Sequence, residues 1–176
     1  YIWTISFPNV FTPFLSQKDS DGSNYYKIEN STLSYGIVGM NETLLAMGIE
    51  DGIVSKDGQK EANRILNEVN AFAKESQLNT GFRFTVIGSP AESTAGRFAT
   101  LDKIQYPDKA IVNGDKDGYY YTNSTHIPVN ESRYLLPEKI KIESQFHPKT
   151  SGGHIYHGFI GDAYPNAEAL VSLTKK

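Results

Sequence analysis

The chain contains no cysteine. That excludes disulfides, cysteine-based zinc sites, iron–sulfur clusters and thiol nucleophiles within it. It has no run of about 18 apolar residues, so no transmembrane helix is readable. No charge of one sign dominates: 17 Lys and Arg stand against 20 Asp and Glu, a net charge of -3. That balance gives no reason to expect a nucleic acid or an anionic membrane as partner. No charged segment followed by an apolar stretch opens the sequence, so no signal peptide is visible. Gly-rich phosphate loops, a GxSxG elbow, internal repeats and low-complexity segments are missing as well. What is present is globular in composition: 176 residues, 39% hydrophobic, with 11 Tyr and 9 Phe, enough for the core of one domain. Both ends, YIWTISF and LVSLTKK, read as cut, and the expectation is a piece of a longer protein.

Along the chain, residues 1–15 predict a strand and a loop broken by Pro8 and Pro13, and residues 16–24 a solvated turn. Residues 25–29 and 32–38 predict strands, with close backbone approaches at Gly36 and Gly39. A short helix is expected over 41–47, capped by Asn41 and ended at Gly48. The clearest helix spans 59–77, where Ala62, Ile65, Leu66, Val69, Phe72 and Ala73 share one face. Ser55 or Asp57 caps it, and the loop Asn79-Thr80-Gly81 stops it. FRFTVIG, residues 82–88, reads as a central strand covered on both faces, with Phe82, Phe84 and Val86 on one side. A second helix opens at Pro90 and runs to 100. This helix–strand–helix order is α/β alternation. Further on come a polar loop at 103–118, strands at 119–126, 139–146 and 155–160, a glycine turn at 150–154, and a helix at 166–173.

The strongest chemical feature is the junction VIGSPAESTAGRF, residues 86–98. A buried strand ends, small residues turn the chain, and a helix begins at Pro90, where a missing N–H costs nothing. Ser89 is the natural N-cap. The free N–H groups of Ala91, Glu92 and Ser93, with the helix dipole, make an anion site suited to phosphate or carboxylate. Small side chains at 91 and 93–96 let a ligand approach. The same pattern also fits an ordinary capped junction, with Glu92 reaching back to the Ser89 N–H. Ser89, Ala91, Glu92, Ser93 and Thr94 are therefore the candidate phosphate-binding residues. Arg97 is placed to neutralise Glu92 or Asp102.

Asn123, Ser124 and His126 give a strand beginning YYYT an unusual polar density, and they are expected to line or support a pocket. On a strand, Ser124 and His126 share one face and Asn123 and Thr125 the other; the reading favours Ser124 and His126. A hydrogen-bonded strand end is the plain alternative. Histidines occur at 126, 147, 154 and 157. On a strand, His154 and His157 point to opposite faces and no acidic ligand is in register, so no metal site is assigned. Asp19-Ser20-Asp21-Gly22 and Asp115-Lys116-Asp117-Gly118 lack the glycine and closing glutamate of a calcium loop and read as turns.

Four blocks then stand in order: YGIVGMNE (35–42), SPAESTAGRFATLD (89–102), YYTNSTHIPV (120–129) and FHPKTSGGHI (146–155). Together they resemble the carboxyl-terminal part of the large subunit of anaerobic, class III ribonucleoside-triphosphate reductases. The resemblance covers roughly residues 31–173. It implies the glycyl-radical-enzyme fold, a ten-stranded α/β barrel of two half-barrels, with residues 1–176 a single fragment of that catalytic domain. It implies a cytoplasmic enzyme that reduces ribonucleoside triphosphates at the 2′ carbon through a glycyl and then a thiyl radical. Formate or a thiol system supplies the electrons. A radical-SAM activating enzyme and a homodimer of the full-length protein are the implied partners. The catalytic cysteine is expected upstream, and the zinc site and radical glycine downstream, so this piece carries no catalytic residue and no cofactor. The resemblance extends to no role for His157. The rival readings are a glycyl-radical enzyme of the pyruvate formate-lyase type and a non-catalytic phosphate- or nucleotide-binding module.

Overall fold

Two parallel strands form the frame on which the polar blocks are mounted. In the computed structural model, which describes residues 17–158 and 164–175, β1 (Thr32–Ile37) pairs in parallel with β2 (Arg83–Gly88), Tyr35 opposite Val86. Parallel neighbours need a long crossover. Here it consists of α1 (Met40–Ala46), a 3-10 turn (Gly52–Val54) and α2 (Lys56–Thr80). The expected strand and loop at 1–15 lie outside the described residues.

The crossover follows from its local chemistry. Gly39, at φ 73, turns the chain from the end of β1 into α1, a left-handed conformation that glycine takes without penalty. Asn41 does not cap this helix. It lies one position inside α1, and its Oδ1 accepts from Ile53 N at 3.1 Å. Ser55 caps α2, its Oγ accepting from Gly58 N at 3.0 Å, and Gly81 closes it. Ala62, Leu66 and Ala73 of α2 are buried, whereas Phe72 is exposed at the helix's far end. The core gathers Met40, Leu44, Ile53, Val54, Ala62, Leu66, Ile127 and Phe146. Fully buried leucine, isoleucine and phenylalanine side chains contribute roughly 1.5–3 kcal/mol each. Tyr35 joins the layers: its ring stacks on Phe84 and meets Phe72, both with centroids 5.5 Å away, and its hydroxyl bonds Ser76 Oγ at 3.1 Å.

β2 is central in a different sense from the one expected. One face packs on α2, but its flank opposite β1 is taken by the glycine turn at 150–154, not by a full strand. Gly152 N donates to Val86 O at 2.8 Å and Gly88 N to Gly153 O at 3.0 Å. The face carrying Thr85 and Ile87 is only half-buried.

The helix after β2 is α3 (Glu92–Gln105), with Ala91 at the N-cap and no side-chain cap. Pro90 and Ser89 therefore belong to the connecting turn, and the expected capping box does not form. The small residues of α3 serve packing: Ala95 and Ala99 are buried. A Cβ on Gly96 would stand 3.6 Å from Tyr119 O, and Tyr121 N donates to Ala95 O. They admit the hairpin β3 (Asn113–Asp115) and β4 (Gly118–Tyr120), formed within and just after the stretch expected to be loop.

Four strand expectations fail in whole or in part. Residues 28–30 form a 3-10 turn where a strand was expected over 25–29. Residues 121–126 leave β4 and turn, with Ser124 at φ 47. Residues 139–146 fall mostly in α4 (Leu136–Ser144). The alternation Ile140-Lys141-Ile142 imitates a strand, but Pro137 in the first turn and Glu138, whose Oε2 accepts from Leu135 N at 2.8 Å, start a helix. Residues 155–158 are irregular, and 159–163 lie outside the described residues. The last helix, α5 (Ala167–Thr174), forms as expected, capped by Asn166 Oδ1 on Ala169 N at 2.8 Å. Both acidic tetrapeptides are turns: Asp21 Oδ1 accepts from Ser23 N, and Asp115 Oδ1 from Asp117 N.

Candidate functional site

The carboxyl ends of β1 and β2 open on the same side, where parallel α/β sheets place their ligands. Two candidate segments meet there. A pocket of about 260 Å³ is lined by Glu92 and Ala95 of α3, by Tyr120–Asn123, and by His126, Ile127, Val129 and His157. Glu92 thus faces the same space as Asn123 and His126, although thirty or more positions of sequence intervene. Ser124 lies behind this lining, buried, so the pairing of Ser124 with His126 fails because the segment is a turn and not a strand.

The start of α3 is open to solvent. Glu92, Ser93 and Thr94 are exposed, and Ser89 and Ala91 half-buried. The first-turn N–H groups of a helix have no intrahelical acceptor. Glu92 does not turn back to Ser89 but borders the pocket. Asp102 Oδ2 accepts from the Tyr121 hydroxyl at 2.7 Å, and among the described residues no ion pair joins it to Arg97. Burial, then the bond and charge of Asp102, push the Tyr121 hydroxyl up to about 12, so it stays a donor. Ser89 packs close on β1: a Cβ on Gly36 would sit 3.3 Å from Ser89 Cβ.

All four histidines converge, which sequence reasoning missed. His126 lies with ring centroids 5.5 Å from His154 and 5.7 Å from His157, and His154 stacks on His147 at 4.0 Å. His154 and His157 approach the same ring because 155–158 is not a strand. Burial foremost, then repulsion from His147 and His126, lowers His154 to about 4; burial also lowers His147. The stacked pair is therefore neutral at pH 7. A Cβ on Gly88 would stand 2.3 Å from His154 Nδ1, so the end of β2 lies flat against that ring. His126 Nδ1 pairs with Glu143 Oε2 at 2.6 Å. Tyr156 meets the His126 ring at 5.9 Å, and burial with the charge of Glu143 pushes its hydroxyl up to about 12. Among the described residues no group of three or more His, Cys, Asp or Glu is arranged to hold a metal ion. No helix of the described residues is long and apolar enough to cross a membrane.

Comparison with known proteins bears directly on this arrangement. The family model for anaerobic ribonucleoside-triphosphate reductase matches residues 6–176. The anaerobic ribonucleoside-triphosphate reductase of Enterobacteria phage T4 is 32% identical over 156 residues, 88% of this chain and 23% of the relative. That of Escherichia coli K12 is 29% identical over 153 residues, 86% of this chain and 21% of the relative. The chain thus spans under a quarter of the length of these relatives. Among solved structures, an anaerobic ribonucleotide reductase matches with TM-score 0.65 and 18% identity, over 99% of this chain and 25% of its own. The Thermotoga maritima anaerobic ribonucleotide reductase with MES in the active site matches with TM-score 0.61 and 20% identity, over 83% of this chain and 24% of its own. At those identities the structural likeness concerns the fold: a mixed α/β unit shared with these enzymes. With the family model matching nearly the whole chain, the protein belongs to the anaerobic ribonucleoside-triphosphate reductase family.

Proposed function

We propose that this chain forms one wall of the substrate pocket of an anaerobic ribonucleoside-triphosphate reductase, with the substrate's phosphates at the start of α3. The observation that supports this is the shared pocket: the helix start at Glu92 and the Asn123–His126 turn border one space at the ends of two parallel strands. At about 260 Å³ it is smaller than the ~300–1,000 Å³ of whole ligand pockets. It fits a wall of a cleft completed by other parts of a longer protein.

In this reading the N–H groups of Glu92, Ser93 and Thr94 donate to phosphate oxygens, helped by the Ser89 and Ser93 hydroxyls. Each charge-assisted bond contributes about 1.5–3 kcal/mol. Ala91 contributes by being small. The Glu92 carboxylate would repel a phosphate, so its place is beside the ribose, accepting from hydroxyl donors. Asn123 and His126 supply further polar contacts, and Ser124 supports them from behind. Residues 1–176 are then one piece of the ten-stranded barrel, with β1 and β2 among its strands. The resemblance places a glycyl radical and a zinc site elsewhere in the full-length enzyme. The described residues offer no ligand set for zinc, and no step is assigned here to either group. A cytoplasmic homodimer activated by a radical-SAM enzyme accompanies the same reading.

Ala91→Leu in the full-length enzyme tests it. A bulky side chain at the N-cap blocks backbone approach, and ribonucleoside triphosphate binding measured by calorimetry should weaken at least ten-fold, about 1.4 kcal/mol. Unchanged affinity in a folded variant places the phosphates elsewhere.

A further inference from the structure

Two buried carboxylates converge on one turn. Glu42, on α1, is 4% exposed, and Glu143, on α4, is 2% exposed. Neither forms an ion pair with lysine or arginine among the described residues. Glu42 Oε2 accepts from Thr122 N at 3.0 Å and from Thr122 Oγ1 at 2.8 Å, while Oε1 accepts from Asn113 Nδ2 at 2.6 Å. Glu143 Oε1 accepts from Ile127 N at 2.8 Å, and Oε2 meets His126 Nδ1 at 2.6 Å. The two carboxylates thus hold both ends of the segment Thr122–Ile127. The start of α1 adds two backbone bonds, Gly39 N to Thr122 O at 2.8 Å and Met40 N to Ser124 O at 3.2 Å.

This arrangement is not the stable choice for a core. Taking a carboxylate out of water is costly, and well-packed apolar residues of similar volume are often as stable or more so. Within the turn, one backbone bond, His126 N to Asn123 O at 3.0 Å, closes the chain on itself. Ser124 has φ 47, unusual for a residue with a side chain. Asn123 Oδ1, Ser124 Oγ and Thr125 Oγ1 are buried and make no protein hydrogen bond. Strained, poorly satisfied segments persist where their surroundings over-determine them, and such strain concentrates at functional sites. Two carboxyl groups supply that constraint here, and the turn they hold presents Asn123 and His126 to the pocket. An ionised carboxylate can only accept, so a proton on Nδ1 directed at Glu143 would leave His126 only Nε2 for other contacts.

We propose that Glu42 and Glu143 are positioning residues for this pocket. They hold the Thr122–Ile127 turn in its strained form, and Glu143 dictates which His126 nitrogen carries the proton. Glu143→Gln separates this role from mere packing. The amide can still accept from Ile127 N, but its NH2 then faces Nδ1, so His126 must accept there and carry its proton on Nε2.

The test uses the activated full-length enzyme with 15N-labelled histidine, the His126 signal being assigned by its loss in His126→Gln. The wild type should carry a proton on His126 Nδ1, and Glu143→Gln should move it to Nε2. The turnover readout rests on the reductase reading; the spectrum does not. In turnover, Glu143→Gln should lower kcat at least ten-fold, with KM for the ribonucleoside triphosphate within three-fold. The double variant Glu143→Gln/His126→Gln should match His126→Gln within two-fold, because Glu143 acts through His126. Glu42→Gln should lower kcat at least five-fold at constant KM. Should Glu143→Gln not fold, the wild-type spectrum and Glu42→Gln carry the test. A wild-type His126 with bare Nδ1, independent multiplication of the two effects, or unchanged kcat in either glutamine variant overturns the proposal. A wild-type enzyme that turns over no ribonucleoside triphosphate refutes the reductase reading and leaves the spectrum to judge the positioning claim.

Discussion

Gly88→Ala should loosen the site from beneath. Gly88 has an ordinary negative φ, so backbone strain contributes nothing, and the whole effect is one of space. The added Cβ would lie 2.3 Å from His154 Nδ1 and 2.8 Å from both Cγ and Cε1. These are ring atoms of a side chain stacked on His147 and cannot swing aside without unstacking it. Moving His154 also disturbs the bonds Gly88 N to Gly153 O and Gly152 N to Val86 O. Overpacking a filled interior costs about 1–3 kcal/mol, and each hydrogen bond contributes about 0.5–1.5 kcal/mol. A local loss of about 3 kcal/mol corresponds to roughly a hundred-fold rise in opening. Amide hydrogen exchange read on peptides covering 82–90 and 148–156 of the full-length protein should accelerate by that factor. Gly118→Ala is the control, since its Cβ meets nothing within 4 Å at an ordinary φ. If Gly88→Ala exchanges within three-fold of the wild type, the close packing of β2 on the histidine stack is refuted.

The isolated 176-residue chain, having no cysteine, should show no reductase turnover. It should also self-associate, because Phe98, Leu101 and Ile104 lie exposed along one side of α3. Light scattering after size exclusion checks this, and a freely soluble monomer at high concentration would contradict it. Stability should depend on pH through His154. Its folded value is depressed to about 4 from 6.5, so between those values the unfolded chain binds the extra proton. Its contribution is complete above about pH 6.5 and is lost as pH falls toward 4. Melting temperatures of the wild type and of His154→Asn between pH 4 and 7 should converge on acidification, and parallel curves would refute the assignment.

Legibility in the sequence followed the range of the forces involved. The strands at 32–38 and 82–88 and the helix α2 were readable because apolar periodicity, the Ser55 cap and the Gly81 stop all act within a few residues, whereas the parallel pairing of β1 with β2 joins residues 51 positions apart and left no such local signal. The turn at Asn123–His126 was misread as a strand because the groups that bend it, Glu42 and Glu143, come from distant helices. α4 was misread because Ile140-Lys141-Ile142 alternates, while the deciding signals were Pro137 and Glu138 at its start. The junction after β2 was placed correctly, but its cap was not: α3 begins at Glu92, and its small residues admit the β3–β4 hairpin. The histidine cluster left no local trace, since its members belong to separate turns. The order of Asn–Ser–Thr–His and Gly–Gly–His blocks was the available signal, and it was not read as a cluster.

The most direct measurement is a crystal structure of the full-length enzyme with a ribonucleoside triphosphate bound. The account predicts phosphate oxygens at about 2.7–3.2 Å from the N–H groups of Glu92, Ser93 and Thr94. The ribose should face Glu92, Asn123 and His126. Phosphates bound away from α3, or an α3 start covered by other parts of the protein, would contradict it.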